Sequence, residues 1–185
     1  MIRSLPLIIV LLLAACGTDD ARYVLATPAP AAKARVAIAT LEVRDVTLPA
    51  YAAASEIVVE EDDGALHRVK NAVWADDPVH GVTGALARLL DEATTAAVAA
   101  EPWPLQDPAQ ARLEVRIDDM IARADGRFEM TGQFALTSPD GVIRDRLQRF
   151  DITAPLPDRA PGSVAKAAGT ALSDLAGQIV QRLRR

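Results

Sequence analysis

One residue in the chain has a chemistry that no other residue duplicates. Cys16 is the only cysteine among 185 residues, and it lies between an apolar run, Leu5 to Ala15, and the acidic pair Asp19-Asp20. A thiolate is a strong nucleophile. An unpaired thiol in an exported protein therefore needs an explanation. Covalent modification of Cys16 is the first chemical hypothesis that the sequence raises.

The residues before Cys16 have the features of a secretory signal. Arg3 is positively charged, and the apolar run after it is shorter than the roughly 20 residues that a membrane-spanning helix needs. Leu13-Ala14-Ala15-Cys16 resembles the lipobox of bacterial lipoproteins, which implies that residues 1–15 are cleaved off and that Cys16 carries a covalent lipid. The alternative is an ordinary signal peptide followed by a stray thiol.

The other residues that could bind a metal or move protons are poorly arranged for it. His67 and His80 are the only histidines, and a zinc site needs three or four ligands. The acidic run EEDDG at residues 60–64 lacks the spacing of a calcium-binding loop. Asp118 and Asp119 are neighbours on a predicted strand, so their carboxylates should point to opposite faces. We therefore expect no metal, no cofactor and no catalytic group, and predict that the protein is not an enzyme.

Three large aromatic residues could instead bind a partner. Trp and Tyr are enriched at protein interfaces, although large aromatic side chains are more often mostly buried in the core. Tyr51 and Trp74 are the candidate interface residues. For both of them, and for Trp103, the sequence leaves core and interface open.

Composition restricts the class of protein. Without residues 1–15 the chain has 170 residues, with 19 Lys and Arg against 25 Asp and Glu, so its net charge is −6. This length suits a single domain, and the mild acidity argues against nucleic acid as a partner. A chain with one cysteine cannot form an internal disulfide, so core packing must stabilise the fold.

The pattern of residues predicts a tether followed by one domain. Residues 16–34 carry Cys16 and a Pro/Ala-rich stretch, which favours extended backbone and indicates a spacer. Residues 35–185 are predicted to form the periplasmic domain. In it, Asp62-Asp63-Gly64 predicts a hairpin turn between two strand-like segments.

Two helices and a three-stranded meander complete the predicted domain. Asp77 and Pro78 should begin the first helix, which we expect to run through the alanine-rich segment and end before Pro102. Alternating patterns near residues 111–120, 127–136 and 142–152 predict three antiparallel strands. A second apolar stripe predicts a helix over residues 162–185. We predict an α+β fold, a mainly antiparallel sheet with two long helices packed on one face.

The order of several short motifs resembles a known family. They are the lipobox at Cys16, YVLATP (23–28), VTLPAY (46–51), IVV (57–59), NAVWADDPVHGVTGALARLL (71–90) and RLEVRIDDM (112–120). Together they are similar to the PqiC-like ABC-type transport auxiliary lipoproteins. The resemblance implies an outer-membrane-anchored subunit of an intermembrane lipid transport system. It also implies MCE-type periplasmic proteins and inner-membrane transporter components as partners.

Three functions follow as hypotheses. The first is a non-enzymatic transport accessory at the periplasmic face of the outer membrane, as a monomer or homo-oligomer, which helps to maintain envelope integrity. The second is a structural lipoprotein that scaffolds envelope components without handling lipid, and the third, which the lack of a convergent catalytic group argues against, is a periplasmic hydrolase. An enclosed apolar groove would favour the first hypothesis, and a flat polar interface would favour the second.

Overall fold

The structure is a computed structural model that describes residues 20–29 and 32–184. Its helices are α1 (Pro78–Ala93) and α2 (Pro161–Leu183). Its strands are β1 (Ala21–Tyr23), β2 (Thr40–Val43), β3 (Glu56–Glu60), β4 (Leu66–Trp74), β5 (Ala97–Ala100), β6 (Ala111–Ala122), β7 (Arg127–Thr137) and β8 (Arg146–Pro155). No helix in this part of the chain is long and apolar enough to cross a membrane.

The sheet is built around β6, the longest strand. On one side β6 pairs with β7, and β7 pairs with β8, both antiparallel. On the other side β6 pairs in parallel with β2 near its start and with β3 at its end. The sheet continues from β2 to β5 in parallel, from β3 to β4 antiparallel, and from β4 to β1 in parallel.

The predicted α+β class is confirmed, but the sheet is mixed. The meander β6-β7-β8 and the β3–β4 hairpin are antiparallel as expected, whereas the pairs β1–β4, β2–β5, β2–β6 and β3–β6 are parallel. A parallel pair needs a long crossover connection. The segment from β3 through α1 provides that connection between β2 and β5. The alternation of apolar and polar residues within a strand does not show whether its neighbour runs parallel or antiparallel to it.

Helix α1 begins where the sequence predicts and ends earlier than predicted. Asp77 Oδ1 accepts a hydrogen bond from the His80 backbone N–H at 3.1 Å, and Pro78 occupies the first turn. The helix ends at Ala93, because Thr94 is extended and its hydroxyl donates to the Leu90 carbonyl at 2.8 Å. The alanine-rich segment beyond it is therefore not helical, and forms β5 beside β2.

Helix α2 covers the buried face of the meander. Its predicted stripe is fully buried and comprises Val164, Ala168, Leu172, Leu175, Ile179 and Leu183. The helix contacts β7, β8 and α1. The residues of β7 beneath it alternate between buried and mostly half-buried positions, with Phe134, Leu136 and Met130 fully buried. The two helices and the inner face of the sheet thus share one aliphatic core.

Residues 20–29, which we call the strap, lie within the segment that the sequence predicts as tether. In the strap, β1 pairs with β4, and the Tyr23 carbonyl accepts a hydrogen bond from the Ala75 backbone N–H at 2.8 Å. Further along, Ala26 passes directly over Gly169 of α2. The prediction that residues 16–34 are only a spacer is therefore wrong for the strap, since backbone pairing and close packing hold it on the domain.

Candidate functional site

An apolar cavity of about 450 Å³ lies between the strap, the start of α1, the end of β4 and the loop that carries Tyr51. Ligand-binding pockets typically have volumes of about 300–1,000 Å³. The cavity floor consists of buried apolar side chains, Val82, Ala85, Met120, Phe128 and Val164. The floor therefore belongs to the main core of the protein, and the cavity opens from that core toward solvent.

Three half-buried aromatic residues stand along the cavity: Tyr23, Tyr51 and Trp74. The Tyr51 hydroxyl accepts a hydrogen bond from the Met120 backbone N–H at 3.1 Å. Burial raises the pKa of this phenol above its ordinary value, and the nearby Asp119 carboxylate acts in the same direction. Tyr51 therefore stays neutral at physiological pH, and its ring is held in position at the cavity.

Another wall of the cavity is the face of α1 that carries Gly81 and Gly84. A Cβ atom built at Gly84 would have no heavy atom within 4 Å, and one at Gly81 would meet only the Asp76 Cβ at 4.0 Å. A glycine inside a helix costs about 1 kcal/mol relative to alanine. Helix α1 thus leaves space on this face although alanine would make a more stable helix.

The charged groups around the cavity are unevenly paired. Asp76 hydrogen-bonds His80 Nδ1 at 2.7 Å, which lowers the pKa of Asp76, and Asp77 caps α1. Glu56 pairs with Arg68 at 3.0 Å. Arg88 donates to the Thr27 hydroxyl at 3.1 Å.

Within the described part of the chain, Arg88 forms no ion pair with a carboxylate. In the described residues, the three carboxylates of the rim thus accept hydrogen bonds or form ion pairs, and Arg88 has no carboxylate partner.

The structure brings Tyr51 and Trp74 together on one cavity, although they are far apart in sequence. Trp103 lies elsewhere, in the loop after β5, where its indole N–H donates to the Asp107 carbonyl at 2.8 Å. His80 lies on the cavity rim, and His67 is an exposed residue of β4.

The carboxylates considered for proton chemistry on sequence grounds have hydrogen-bond partners within the protein. Asp118 accepts from Arg116 at 3.2 Å, and Asp119 accepts from the Thr131 hydroxyl at 3.1 Å. Across residues 20–29 and 32–184, no group of three or more His, Cys, Asp or Glu side chains is arranged to hold a metal ion. Cys16 lies outside the described residues, so its lipidation stays a prediction.

Sequence reasoning missed Gly81, Gly84 and Arg88 as residues of the site. Gly84 follows Gly81 by three residues and Arg88 follows Gly84 by four, so all three lie on one face of α1. The presence of two glycines on that face of a well-capped helix is a signal that could have indicated the cavity. No comparable local signal identifies Met120 and Phe128, which reach the cavity through the pairing of β6 with β7.

The family model of the ABC-type transport auxiliary lipoprotein component matches residues 23–180. The chain belongs to this family. The resemblance found from the short motifs is thereby confirmed, and the match includes all the cavity residues from Tyr23 to Val164. No curated protein matches the sequence.

Solved structures share the fold. A crystal structure of an uncharacterized protein has a TM-score of 0.69 and 16% identity, covering 88% of this chain and 97% of that chain. A protein of the family DUF330 from Xanthomonas campestris has a TM-score of 0.61 and 18% identity, covering 86% of this chain and 90% of that chain. At these identities the likeness concerns the fold alone.

Membership of the family establishes the general role. The protein is an auxiliary lipoprotein of ABC-type transport, which places it among the membrane-anchored proteins of the cell envelope and implies transporter components as partners. The family description is that of a transport accessory rather than a catalyst.

Proposed function

We propose that this protein is the outer-membrane-anchored periplasmic subunit of an MCE/ABC-type intermembrane lipid transport system. The observation that carries the proposal is an apolar cavity, open to solvent, in a member of a transport auxiliary lipoprotein family. A protein that only scaffolds envelope components has no need of such a cavity. The cavity therefore favours lipid handling over the scaffold hypothesis.

The proposed anchor is the lipid on Cys16. The residue after it is Gly17 rather than the aspartate that retains lipoproteins at the inner membrane in many Gram-negative bacteria. We therefore expect the mature protein in the outer membrane, facing the periplasm. Density-gradient separation of the two membranes measures this, and recovery with the inner membrane would contradict it.

The proposed docking residues are Tyr51 and Trp74. Both are only half-buried and lie on the solvent-open side of the domain beside the cavity. Aromatic anchors of an interface often lose about 2 kcal/mol or more of binding free energy when truncated. The partner would be an MCE-type periplasmic subunit bound by one copy of this chain or by a homo-oligomer.

Co-purification of the lipidated protein with an MCE-type partner tests the proposal. Tyr51→Ala and Trp74→Ala should reduce capture of the partner. Trp103→Ala, a matched change of an aromatic residue away from the cavity, should not reduce it. Thermal melting of each variant excludes simple unfolding. Tyr51→Phe, which keeps the ring but lacks the acceptor for Met120, separates loss of packing from loss of the hydrogen bond.

Two results would overturn this assignment. Folded Tyr51→Ala and Trp74→Ala variants that capture the partner normally would mean that these aromatics only pack against the core. Failure of the wild-type protein to capture any transporter component would favour the scaffold hypothesis. Deletion of the gene should also weaken the permeability barrier of the outer membrane, measured as uptake of a large hydrophobic dye.

A further inference from the structure

We infer that the cavity binds one acyl chain of an anionic membrane lipid, with the acidic headgroup beside Arg88. The inference rests on the proposed transport function and names the substrate class of its site. It is carried by the composition of the cavity, by the arginine at its rim and by the position of the strap.

The composition of the cavity suits a hydrocarbon. The floor residues Val82, Met120 and Phe128 are apolar, and Gly81 and Gly84 leave open space opposite them. Removing apolar surface from water is favourable without any directional contact. An acyl chain can therefore be bound along such a surface in more than one register.

The polar groups at the cavity argue against a peptide as its occupant. A peptide inserted there would need hydrogen-bond partners for its own N–H and C=O groups. The Tyr51 hydroxyl already binds Met120, Asp76 binds His80, and Asp77 caps α1. The cavity therefore offers few free polar partners, which a hydrocarbon chain does not require.

Arg88 at the rim can bind an anion. Arg88 is exposed at the cavity, and its one hydrogen bond to a side chain in the described residues goes to the neutral hydroxyl of Thr27. A guanidinium offers several donors in a planar fork that matches phosphate and carboxylate groups. Of the nearby acidic groups, Glu56 pairs with Arg68, Asp76 hydrogen-bonds the His80 ring, and Asp77 caps α1. A headgroup phosphate beside Arg88 would compensate its charge.

The strap brings the cavity close to a membrane. Tyr23 lies seven residues after Cys16, and seven extended residues span at most about 25 Å. If Cys16 carries a lipid embedded in the bilayer, the cavity is held within reach of other lipids of that membrane. The same short distance makes the protein's own acyl chain a competing occupant, and the test below distinguishes the two.

The test uses the full-length lipidated protein in phosphatidylcholine vesicles that contain a small fraction of photoactivatable lipid. The probes are phosphatidylglycerol and phosphatidylcholine, each with a diazirine in one acyl chain. After irradiation, mass spectrometry locates the labelled peptides. We expect phosphatidylglycerol to label the peptides that contain Val82, Met120 or Phe128, and phosphatidylcholine to label them less.

Two variants change the cavity without removing a core side chain. Gly84→Leu places a side chain in the open space and should reduce labelling of the floor about tenfold or more, because the added side chain occupies volume that about two methylene groups of the acyl chain would fill. Gly177→Leu makes the same change on α2, where a Cβ meets nothing within 4 Å, and should leave labelling unchanged. Arg88→Gln should reduce phosphatidylglycerol labelling about two- to fivefold, which corresponds to an exposed ion pair, and should not affect phosphatidylcholine.

Several results would overturn the inference. Labelling confined to the strap and tether, or unaffected by Gly84→Leu in a variant that melts normally, would mean that the cavity binds no lipid. Labelling of the floor that occurs only in Cys16→Ser would mean that the protein's own acyl chain fills the cavity. Either result could coexist with normal capture of the MCE-type partner, so failure of this inference is distinguishable from failure of the proposed function.

Discussion

A methyl group added at Gly169 should push the strap away from α2. A Cβ at this position would lie 2.2 Å from the Ala26 carbonyl oxygen, 2.5 Å from its carbonyl carbon and 3.0 Å from the Thr27 nitrogen. These are backbone atoms, which cannot rotate away as a flexible side chain can. Gly169→Ala therefore requires the strap or the helix to move.

The same helix supplies the control. Gly177 is exposed, and a Cβ there would meet nothing within 4 Å. Gly177→Ala should stabilise the protein by about 0.5–1 kcal/mol, because alanine is the better helix former. Gly169→Ala gains the same propensity, so the difference between the two variants isolates the contact with the strap.

The expected difference follows from the cost of overpacking. Forcing extra atoms into a packed site typically costs about 1–3 kcal/mol. For a chain of this size each kcal/mol shifts the melting temperature by about 2–4 °C. Gly169→Ala should therefore melt about 2–12 °C below Gly177→Ala.

Calorimetry or circular dichroism measures the two melting temperatures, and limited trypsin digestion reports on the strap. Cleavage after Arg22 should be faster in Gly169→Ala, because β1 is then no longer held on β4. Digestion of Gly177→Ala should match the wild type. Equal melting temperatures together with equal cleavage rates would show that the strap does not pack on α2 as described.

Three further predictions concern the anchor, the strap and the core. Cys16→Ser should abolish acylation and release the protein from membranes, which fractionation and mass spectrometry of the N-terminal peptide measure; an unmodified Cys16 in the mature wild type would contradict the assignment. A chain that begins at residue 20 should resist urea better than one that begins at residue 35, since only the longer form contains β1, and coincident urea midpoints would refute a stabilising role for the strap. Leu175→Asp should cost about 4 kcal/mol or more, because an unpaired charge would be buried in the main core. Its melting temperature should fall well below that of Gly177→Asp, where the carboxylate stays in water, and two equal values would place Leu175 outside the core.

The sequence best predicted those helices, strands and turns whose structure is determined by their own residues rather than by distant contacts. In β7 and in residues 111–118 of β6 the period-two alternation selects the buried face, and a single buried face constrains the register of the meander. A register shift between Ile117 and Asp119 interrupts this pattern in β6. The stripe of α2 and the Asp77 cap of α1 are likewise local features. The hairpin turn at Gly64, where φ is +80°, depends on one residue that tolerates a left-handed backbone.

The sequence misled where tertiary contacts override local preference. Residues 97–100 are mostly alanine, a strong helix former, yet they pair with β2 because the backbone donors of that strand would otherwise lack partners. The strap is similar. Its Pro/Ala-rich end is typical of a spacer, but pairing with β4, the hydrogen bond from Arg88 to Thr27 and the close approach at Gly169 hold it on the domain.

The cavity illustrates a different limit of sequence reasoning. Hydrophobic periodicity identifies side chains that are buried together, but a cavity is a volume that no side chain fills. Its walls come from the strap, the Tyr51 loop, β4 and α1, which long-range contacts such as the parallel pairing of β1 with β4 and the β3–β4 hairpin bring together. The sequence could therefore identify Tyr51 and Trp74 as candidate interface residues, but it left open whether they lie in the core or at an interface. It could not show that both residues line the same cavity. Part of that cavity exists because Gly84 has no side chain to fill it.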